Sequence, residues 1–193
     1  MKPEELLCIL SRAARLKTTM RHCYTAANRK ESVADHCFRI ALMAMLLRGE
    51  EEFGNMDMDK VIRMCLIHDL GEAFTGDIPS FDKTEADSKT EELALRQWVQ
   101  TFPSPEREEW LALYEEMEAQ QTQEARIYKA LDKLEAVIQH DESDISTWLP
   151  LEYDLQLEYG RENVQFSPYL QQLKMEIDDV TRKKIAAHRS KEN

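Results

Sequence analysis

Two segments of this sequence carry apolar residues on almost every side of a helix. The first covers residues 33 to 48, and the second is centred on residues 61 to 67. A helix at a protein surface shows apolar residues along one stripe only, so a helix that is apolar all round must be enclosed by other elements. We predict that these two helices pack beside each other at the centre of a helical domain.

The turn-forming residues support a helical fold. Glycine and proline number only 5 and 6 of 193 residues, and a fold with many tight β-turns would need more of both. We predict a single all-α domain of the helical-bundle type over residues 1 to 193. Its motif-bearing core covers about residues 16 to 140, and an irregular segment and a last helix follow over about residues 141 to 187.

Local patterns place the remaining helices. Ser32, Thr122 and either Asp57 or Asp59 stand where helix N-caps are expected, before the first apolar helix, before a helix that runs to about His140, and before the second apolar helix. The second apolar helix is expected to end near Ala73. Further helices are predicted over residues 3 to 16, 85 to 101, 105 to 120 and 168 to 187. Connectors are predicted over residues 17 to 30 and 71 to 83.

The charge balance limits the choice of partners. The chain has 25 Lys and Arg against 37 Asp and Glu, a formal net charge of −12. Affinity for a nucleic-acid polymer comes from basic residues that displace counterions, so no such partner is expected. No apolar run is long enough to span a bilayer, and no membrane partner is expected. Four scattered cysteines without a Cys-x-x-Cys pair predict reduced thiols and a cytoplasmic location.

Polar groups interrupt the apolar helices at a few positions. His36 lies in the first helix, His68 and Asp69 close the second, and Asp132 borders the buried stripe of the helix that begins after Thr122. A buried charge needs a partner. Two imidazoles and two carboxylates form a suitable ligand set for one divalent ion, with Mn²⁺, Fe²⁺, Co²⁺ and Zn²⁺ all permitted.

Glu72 follows His68 by four residues and Asp69 by three, and therefore lies on the same side of a helix. We predict that it handles a proton at a metal-bound water. The competing interpretation is structural, because a lone buried histidine is more often a hydrogen-bonded core residue. That interpretation is retained for the other three histidines, His22, His140 and His188.

The order His36, His68-Asp69, Asp132 resembles the H…HD…D signature of the HD-domain phosphohydrolases. The surrounding segments, residues 31–36, 66–72, 75–79 and 130–135, resemble the branch that contains bacterial 5′-deoxynucleotidases. The similarity runs from about Leu16 to Gln139. It implies an HD-type fold in which the two histidines and two aspartates bind the metal.

Further roles follow from the same resemblance. Glu72 and Asp77 match the acidic residues beside the metal water and the substrate, and Arg21 matches an arginine that contacts the phosphate. His22 stands where some 5′-deoxynucleotidases have a tryptophan. Members with a dinuclear centre usually have a lysine in place of Glu72, so one metal ion is implied.

A metal centre with two aspartates is formally neutral, and it becomes negative once Glu72 and Asp77 ionise. Positive side chains must therefore attract a phosphate dianion. Arg21 is the leading candidate because its fork matches phosphate oxygens. Three further substrate-binding candidates lie in the two predicted connectors: Lys17, Arg29 and Lys83.

These observations predict a metal-dependent phosphohydrolase that releases phosphate from (deoxy)nucleoside 5′-monophosphates by attack of a metal-activated water. One alternative is that the same site cleaves a different phosphate bond and hydrolyses nucleoside triphosphates or phosphodiesters. Another is a non-catalytic domain that binds metal or nucleotide.

Aromatic residues in the segments 85 to 101 and 105 to 120 suggest a homodimer. One small domain is not expected to bury all of them, and the surplus would form a contact between two chains. The residues concerned are Trp98, Phe102, Trp110 and Tyr114.

Overall fold

The computed structural model describes residues 1–192; Asn193, the last residue of the predicted domain, lies outside the described residues. The fold is a single-domain all-α bundle, as predicted. Its α-helices are α1 Pro3–Ala13, α2 Val33–Leu47, α3 Met58–Ile67, α4 Glu72–Thr75, α5 Glu85–Val99, α6 Glu106–Ala119, α7 Gln123–Glu142, α8 Glu152–Glu158 and α9 Pro168–Glu192. Two strands, β1 Met20–Tyr24 and β2 Lys30–Ser32, form a small antiparallel hairpin.

Helices α2, α3 and α7 pack against one another at the centre. Each helix begins after a predicted N-cap residue. The side chains of Ser32, Asp57 and Thr122 each accept a hydrogen bond from a backbone N–H of the first turn. Fully buried side chains, among them Ile40 and Met64, fill the space between these helices. This enclosure explains most of the apolar pattern, but the prediction of burial on every side is wrong, because Phe38, Met45 and Leu46 of α2 are exposed.

The connector predicted over residues 17 to 30 contains the hairpin, and the sequence analysis missed it. A short turn closes the hairpin, with the Thr25 amide donating to the Arg29 carbonyl at 2.7 Å. The Gln139 amide donates to the Tyr24 carbonyl at 2.7 Å and ties β1 to α7. A two-stranded hairpin is weak by itself, so this tertiary contact is what the local sequence pattern could not reveal.

Helix α3 ends at Ile67, earlier than the predicted end near Ala73, and α4 follows after a turn. Gly71 lies in that turn against α5: a Cβ atom there would lie 2.5 Å from Cγ of Glu91. The break changes the chain direction directly after His68 and Asp69. The predicted irregular segment contains the short helix α8, and α9 continues past residue 187.

The aromatic residues of α5 and α6 do not form a surplus surface. Phe102 and Tyr114 are buried, and Trp98 and Trp110 pack partly buried against the core. Phe74, Trp98, Phe102 and Trp110 form a chain of edge-to-face contacts with centroid distances of 5.8, 4.8 and 5.2 Å. The argument that these aromatics require a second chain is therefore wrong, because α5 and α6 bury them against each other and against the core.

Two further observations concern the surroundings of the protein. Within residues 1–192, no helix combines the length and the apolar character needed to cross a membrane. All four cysteines are free thiols, three of them buried.

Candidate active site

Helix α2 brings His36 into the interior. The Ser32 side chain accepts from the Asp35 amide at 3.2 Å, and the Asp35 carboxylate accepts from the Ser32 amide at 2.9 Å, which fixes the first turn. His36 follows with no exposed surface. Its Nδ1 is hydrogen-bonded to Oε2 of Glu135 on α7, another fully buried side chain. The other ring nitrogen, Nε2, is therefore the one that faces Asp69 and Asp132.

His68 stands at the C-terminal end of α3 with the same arrangement. Its Nδ1 donates to the Cys65 carbonyl at 2.9 Å, one turn back along the chain. The Nε2 atom is buried, and Asp69 Oδ2 lies 3.0 Å from it but outside hydrogen-bonding geometry. An anchored Nδ1–H and a free Nε2 are typical of metal-binding histidines, because the anchor fixes the tautomer and the ring orientation.

The two imidazoles meet two carboxylates. His36 Nε2 lies 3.2 Å from Asp132 Oδ1 and 3.8 Å from Asp69 Oδ2, and His68 Nε2 lies 3.0 Å from Asp69 Oδ2 and 3.7 Å from Asp132 Oδ1. Ligands bonded to one ion at about 2.0–2.2 Å lie roughly 3 Å apart when they are neighbours in its shell. His36, His68 and Asp69 thus lie close enough together to hold one divalent ion, and Asp132 joins them through its contacts with the two imidazoles.

Charge around the cluster favours ionised ligands. Burial opposes ionisation of Asp132, but Lys129 and Lys133 outweigh it and hold the pKa of this carboxyl well below its usual range. Their Nζ atoms lie 2.9 and 3.4 Å from Asp132 Oδ2. Burial also opposes ionisation of Asp69, and His68 lowers its pKa in spite of it. Both aspartates are in the form that binds a cation.

Glu72 and Asp77 line the cavity beside this cluster. Burial, reinforced by the charges of Asp69 and Asp77, raises the pKa of Glu72 to about 10. Its Oε2 is buried and makes no hydrogen bond within the described chain. Burial raises the pKa of Asp77 as well. Burial and the neighbouring carboxylates thus favour the protonated form of Glu72, a preference that a cation bound nearby would weaken, and one of its oxygens is available for a ligand.

The hairpin supplies Arg21 to the same cavity. Its Nε lies 2.9 Å from Oε2 of the buried Glu31, and its Nη1 lies 3.9 Å from Asp69 Oδ2. Lys83 also lines the cavity, where its Nζ donates to Glu91 Oε2 at 2.6 Å. These two predicted substrate contacts are near the cluster.

The structure does not bring the other two predicted substrate contacts to the cavity. Lys17 is exposed in a 3₁₀ turn and is not part of the cavity wall formed by the described residues. Arg29 is exposed and pairs with Asp35 at 2.7 Å, where it supports the cap of α2. The local basic composition of this segment did not distinguish these two residues from Arg21.

Three residues around the cluster were not assigned a role from the sequence. Glu135 orients His36, and Lys129 and Lys133 neutralise Asp132. Glu135 follows Asp132 by three residues, so both lie on one side of α7. A second acidic residue at that spacing, bordering an apolar stripe, is the signal that could have revealed it.

The cavity has a volume of about 320 Å³ and extends well beyond the metal-ligand cluster. Its lining includes Asp69, Glu72, Asp77, Arg21 and Asp132, and also His22, Phe81, His140, Glu152, Leu155 and Tyr159. Volumes of this order accommodate small organic molecules.

A buried cluster of two histidines and two aspartates inside a helical bundle defines a metal-centred class of α-helical domain. The family profile described as HD domain matches residues 13–174. The chain belongs to the HD-domain family, which confirms the resemblance found in the sequence.

Several relatives carry a functional name. The chain is 37% identical over 121 residues to a mouse protein named 5′-deoxynucleotidase HDDC2 and 36% identical to its human counterpart. The match covers 62% of this chain in both cases, and 59% and 57% of the relatives. The chain thus spans less than two thirds of the length of these relatives.

Two solved structures resemble the whole fold. A predicted metal-dependent phosphohydrolase from Magnetospirillum magnetotacticum matches with a TM-score of 0.78 and 27% identity over 94% of this chain and 93% of that chain. A conserved hypothetical protein from Pyrococcus furiosus matches with a TM-score of 0.67 and 28% identity, covering 89% of this chain and 98% of that one.

The contact between Glu135 and His36 leads to a prediction about metal affinity. Glu135→Gln removes the charge that orients the imidazole, and we expect affinity for Mn²⁺ or Co²⁺ at this cluster to fall about 10- to 100-fold. Chelator-competition titration measures the change. Glu142→Gln is the matched control, because Glu142 lies on the same helix and also pairs with Arg39, but is exposed. Equal affinities in the two variants would contradict the assigned role of Glu135.

Proposed function

We propose that this protein is a metal-dependent phosphohydrolase that releases phosphate from (deoxy)nucleoside 5′-monophosphates. The observation that carries the proposal is the cluster of His36, His68, Asp69 and Asp132, whose two aspartates line the same cavity as Arg21. In this proposal these four side chains hold one divalent ion. When bound, such an ion lowers the pKa of a coordinated water and polarises a phosphoryl oxygen.

The acidic side chains would transfer the proton during hydrolysis. Glu72 lies beside Asp69 and has a buried oxygen without a hydrogen-bond partner in the described chain. It is therefore the group that would take the proton of the attacking water and pass it to the leaving ester oxygen as the P–O bond breaks. Asp77, which lines the same cavity, would orient the reacting groups.

Arg21 would bind the phosphate. Glu31 holds its Nε at 2.9 Å, which fixes the guanidinium and leaves its remaining donors for phosphate oxygens. Lys129 and Lys133 add positive charge on the Asp132 side of the cavity. Lys83 is a further contact, whereas Lys17 and Arg29 are less well supported because they lie away from the cavity wall.

The substrate class rests on the named relatives and on the cavity. The similar mouse and human proteins are named 5′-deoxynucleotidases. A cavity of about 320 Å³ whose lining combines charged groups with Phe81, Leu155 and Tyr159 suits a phosphate attached to a nucleoside. Hydrolysis of nucleoside triphosphates or phosphodiesters is the second candidate, since the same cluster would serve either bond.

The proposal extends to domain and location. Residues 1 to 193 would form one HD domain with the motif-bearing core at about 16 to 140, consistent with the family match over residues 13–174. A cytoplasmic location is supported by the four free thiols, since oxidising compartments favour disulfides.

An assay of phosphate release tests the function. Protein loaded with Mn²⁺, Co²⁺, Fe²⁺ or Zn²⁺ is expected to convert at least one (deoxy)nucleoside monophosphate to nucleoside and orthophosphate. Glu72→Gln should lower kcat about 10²- to 10⁴-fold with unchanged metal content, because it removes the group that transfers the proton. Glu92→Gln is the control, an exposed residue of α5 that pairs with Arg96.

Three outcomes would oppose this function. Metal-loaded protein that releases no orthophosphate from the nucleotide panel would overturn it. Tripolyphosphate or a monoester as the product would favour the second candidate. Full activity in Glu72→Gln would show that another group transfers the proton.

The assignment of Arg21 predicts a loss of substrate binding. Arg21→Lys keeps the positive charge but loses the forked donors, and we expect kcat/KM to fall about 10- to 100-fold, mainly through KM. Arg29→Lys is the matched control, because Arg29 is exposed and pairs with Asp35 outside the cavity. Steady-state kinetics with metal-saturated protein measures both. Similar losses in the two variants would refute the distinction between them.

A homodimer remains part of the proposal, on a different surface from the one predicted. Phe38, Met45 and Leu46 are 65%, 62% and 69% exposed along one side of α2. Such a large apolar stripe on a central helix fits a contact between two chains. Light scattering is expected to give about twice the chain mass of 22.6 kDa.

A substitution on this stripe checks the surface. Phe38→Glu should give a monomer, whereas Leu93→Glu, at an isolated exposed position of α5 that is 59% exposed, should leave the dimer intact. A wild-type mass of one chain at micromolar concentration would contradict the dimer.

A further inference from the structure

A second cluster of metal-ligating side chains lines the cavity, separate from the one described above. It consists of His22 on β1, His140 near the end of α7 and Glu152 at the start of α8. One ligand atom from each lies within 4.8 Å of the others. None of these residues belongs to the first cluster, and the sequence analysis had interpreted both histidines as structural.

We propose that His22, His140 and Glu152 bind a second divalent transition-metal ion in this part of the cavity. Both imidazoles point at the same carboxylate oxygen: Glu152 Oε1 lies 3.2 Å from His22 Nε2 and 2.9 Å from His140 Nε2. These spacings match those between neighbouring ligands of one ion bonded at about 2.0–2.2 Å.

The tautomer of His140 supports a cation at this point. Its Nδ1 lies 2.8 Å from the Ala136 carbonyl, which can only accept a hydrogen bond, so Nδ1 carries the proton. In the neutral ring, Nε2 then presents a lone pair toward Glu152. A lone pair that faces a carboxylate oxygen requires a positive centre, which is either a proton on Nε2 or an ion bound by both groups. The same Nδ1 anchoring occurs at His36 and His68 in the first cluster.

The charge of Glu152 supports the same conclusion. Only 1% of this residue is exposed, and its Oε2 accepts from the Leu149 amide at 2.6 Å, which leaves Oε1 for the cluster. A buried carboxylate is costly without a cation. Among the side chains described for residues 1–190, no lysine or arginine ion pair with Glu152 is found; its partners are the two imidazoles.

The surroundings hold the imidazoles in place. Phe81 contacts His22 edge to face with the centroids 5.6 Å apart, and the Trp148 indole donates to the His140 carbonyl at 3.1 Å. Two imidazoles and one carboxylate leave coordination positions open, as in mononuclear iron(II) sites, and imidazole suits Zn²⁺, Fe²⁺ and Ni²⁺. An ion here would also add positive charge to a cavity rich in carboxylates.

Metal counting on the full chain tests the proposal without substrate. Protein stripped with a chelator is loaded with Zn²⁺ or Co²⁺, freed of loosely held metal, and analysed for metal per chain. We expect two equivalents in the wild type and one in His22→Ala or Glu152→Gln. Asp132→Asn should lose the other equivalent and keep this one. Glu158→Gln, an exposed change in the same helix as Glu152, should retain two.

The Co²⁺-loaded samples give a second readout, since the visible absorption of the wild type should contain a component that is missing in His22→Ala. His22 is partly exposed on a short strand, so its variant is the one expected to remain folded if Glu152→Gln does not. One equivalent in the wild type would overturn the proposal. So would two equivalents in His22→Ala, because the cluster would then be a hydrogen-bond network only. Neither result depends on phosphate release, so the proposed function can stand or fail separately.

Discussion

The need to compensate buried charge governs the interior of this protein. Helices α2, α3 and α7 pack through apolar side chains, yet they enclose His36, Asp132 and Glu135 at their contact. An isolated charge there would cost several kcal/mol. The fold instead pairs each group: Glu135 with His36 and Arg39, and Asp132 with two lysines. The Nε2 atoms of His36 and His68 lie close to the carboxylates of Asp132 and Asp69. A bound cation would compensate their lone pairs and negative charge.

The same constraint explains how an acidic protein could bind an acidic substrate. The net charge of −12 repels phosphate at long range, so attraction has to be local. Each positive group at the cavity is held by a carboxylate: Arg21 by Glu31, Lys83 by Glu91, and Lys129 by Asp132. Such pairing fixes the orientation of the donors but cancels much of their charge. Because a divalent ion held by Asp69 and Asp132 would itself be formally neutral, a phosphate would be attracted only at short range, by these oriented donors and by open coordination positions of the ion.

The sequence revealed the central helices and the histidines and aspartates of the first cluster, because polar residues in an all-round apolar pattern are conspicuous. It did not reveal the hairpin, since β1 depends on a contact with Gln139 more than a hundred residues away. Glu135 was missed because its partner is on another helix. Arg29 resembled Arg21 for the same reason: only the tertiary structure shows that one faces Asp35 and the other the cavity. Properties of single helices are local, whereas the selection of site residues depends on packing.

The hairpin links the two clusters. Successive residues of a strand point to opposite sides, and Arg21 and His22 accordingly reach different partners, Arg21 the pair Glu31 and Asp69, and His22 the carboxylate of Glu152. A slip of one residue would turn Arg21 and His22 each to the opposite face of the strand and would disrupt both clusters. The hydrogen bond from Gln139 to the Tyr24 carbonyl opposes such a slip. Since Gln139 precedes His140 on α7, the residue that holds the end of β1 is adjacent to a member of the second cluster. The position of the hairpin and the geometry of this cluster thus depend on the same turn of α7.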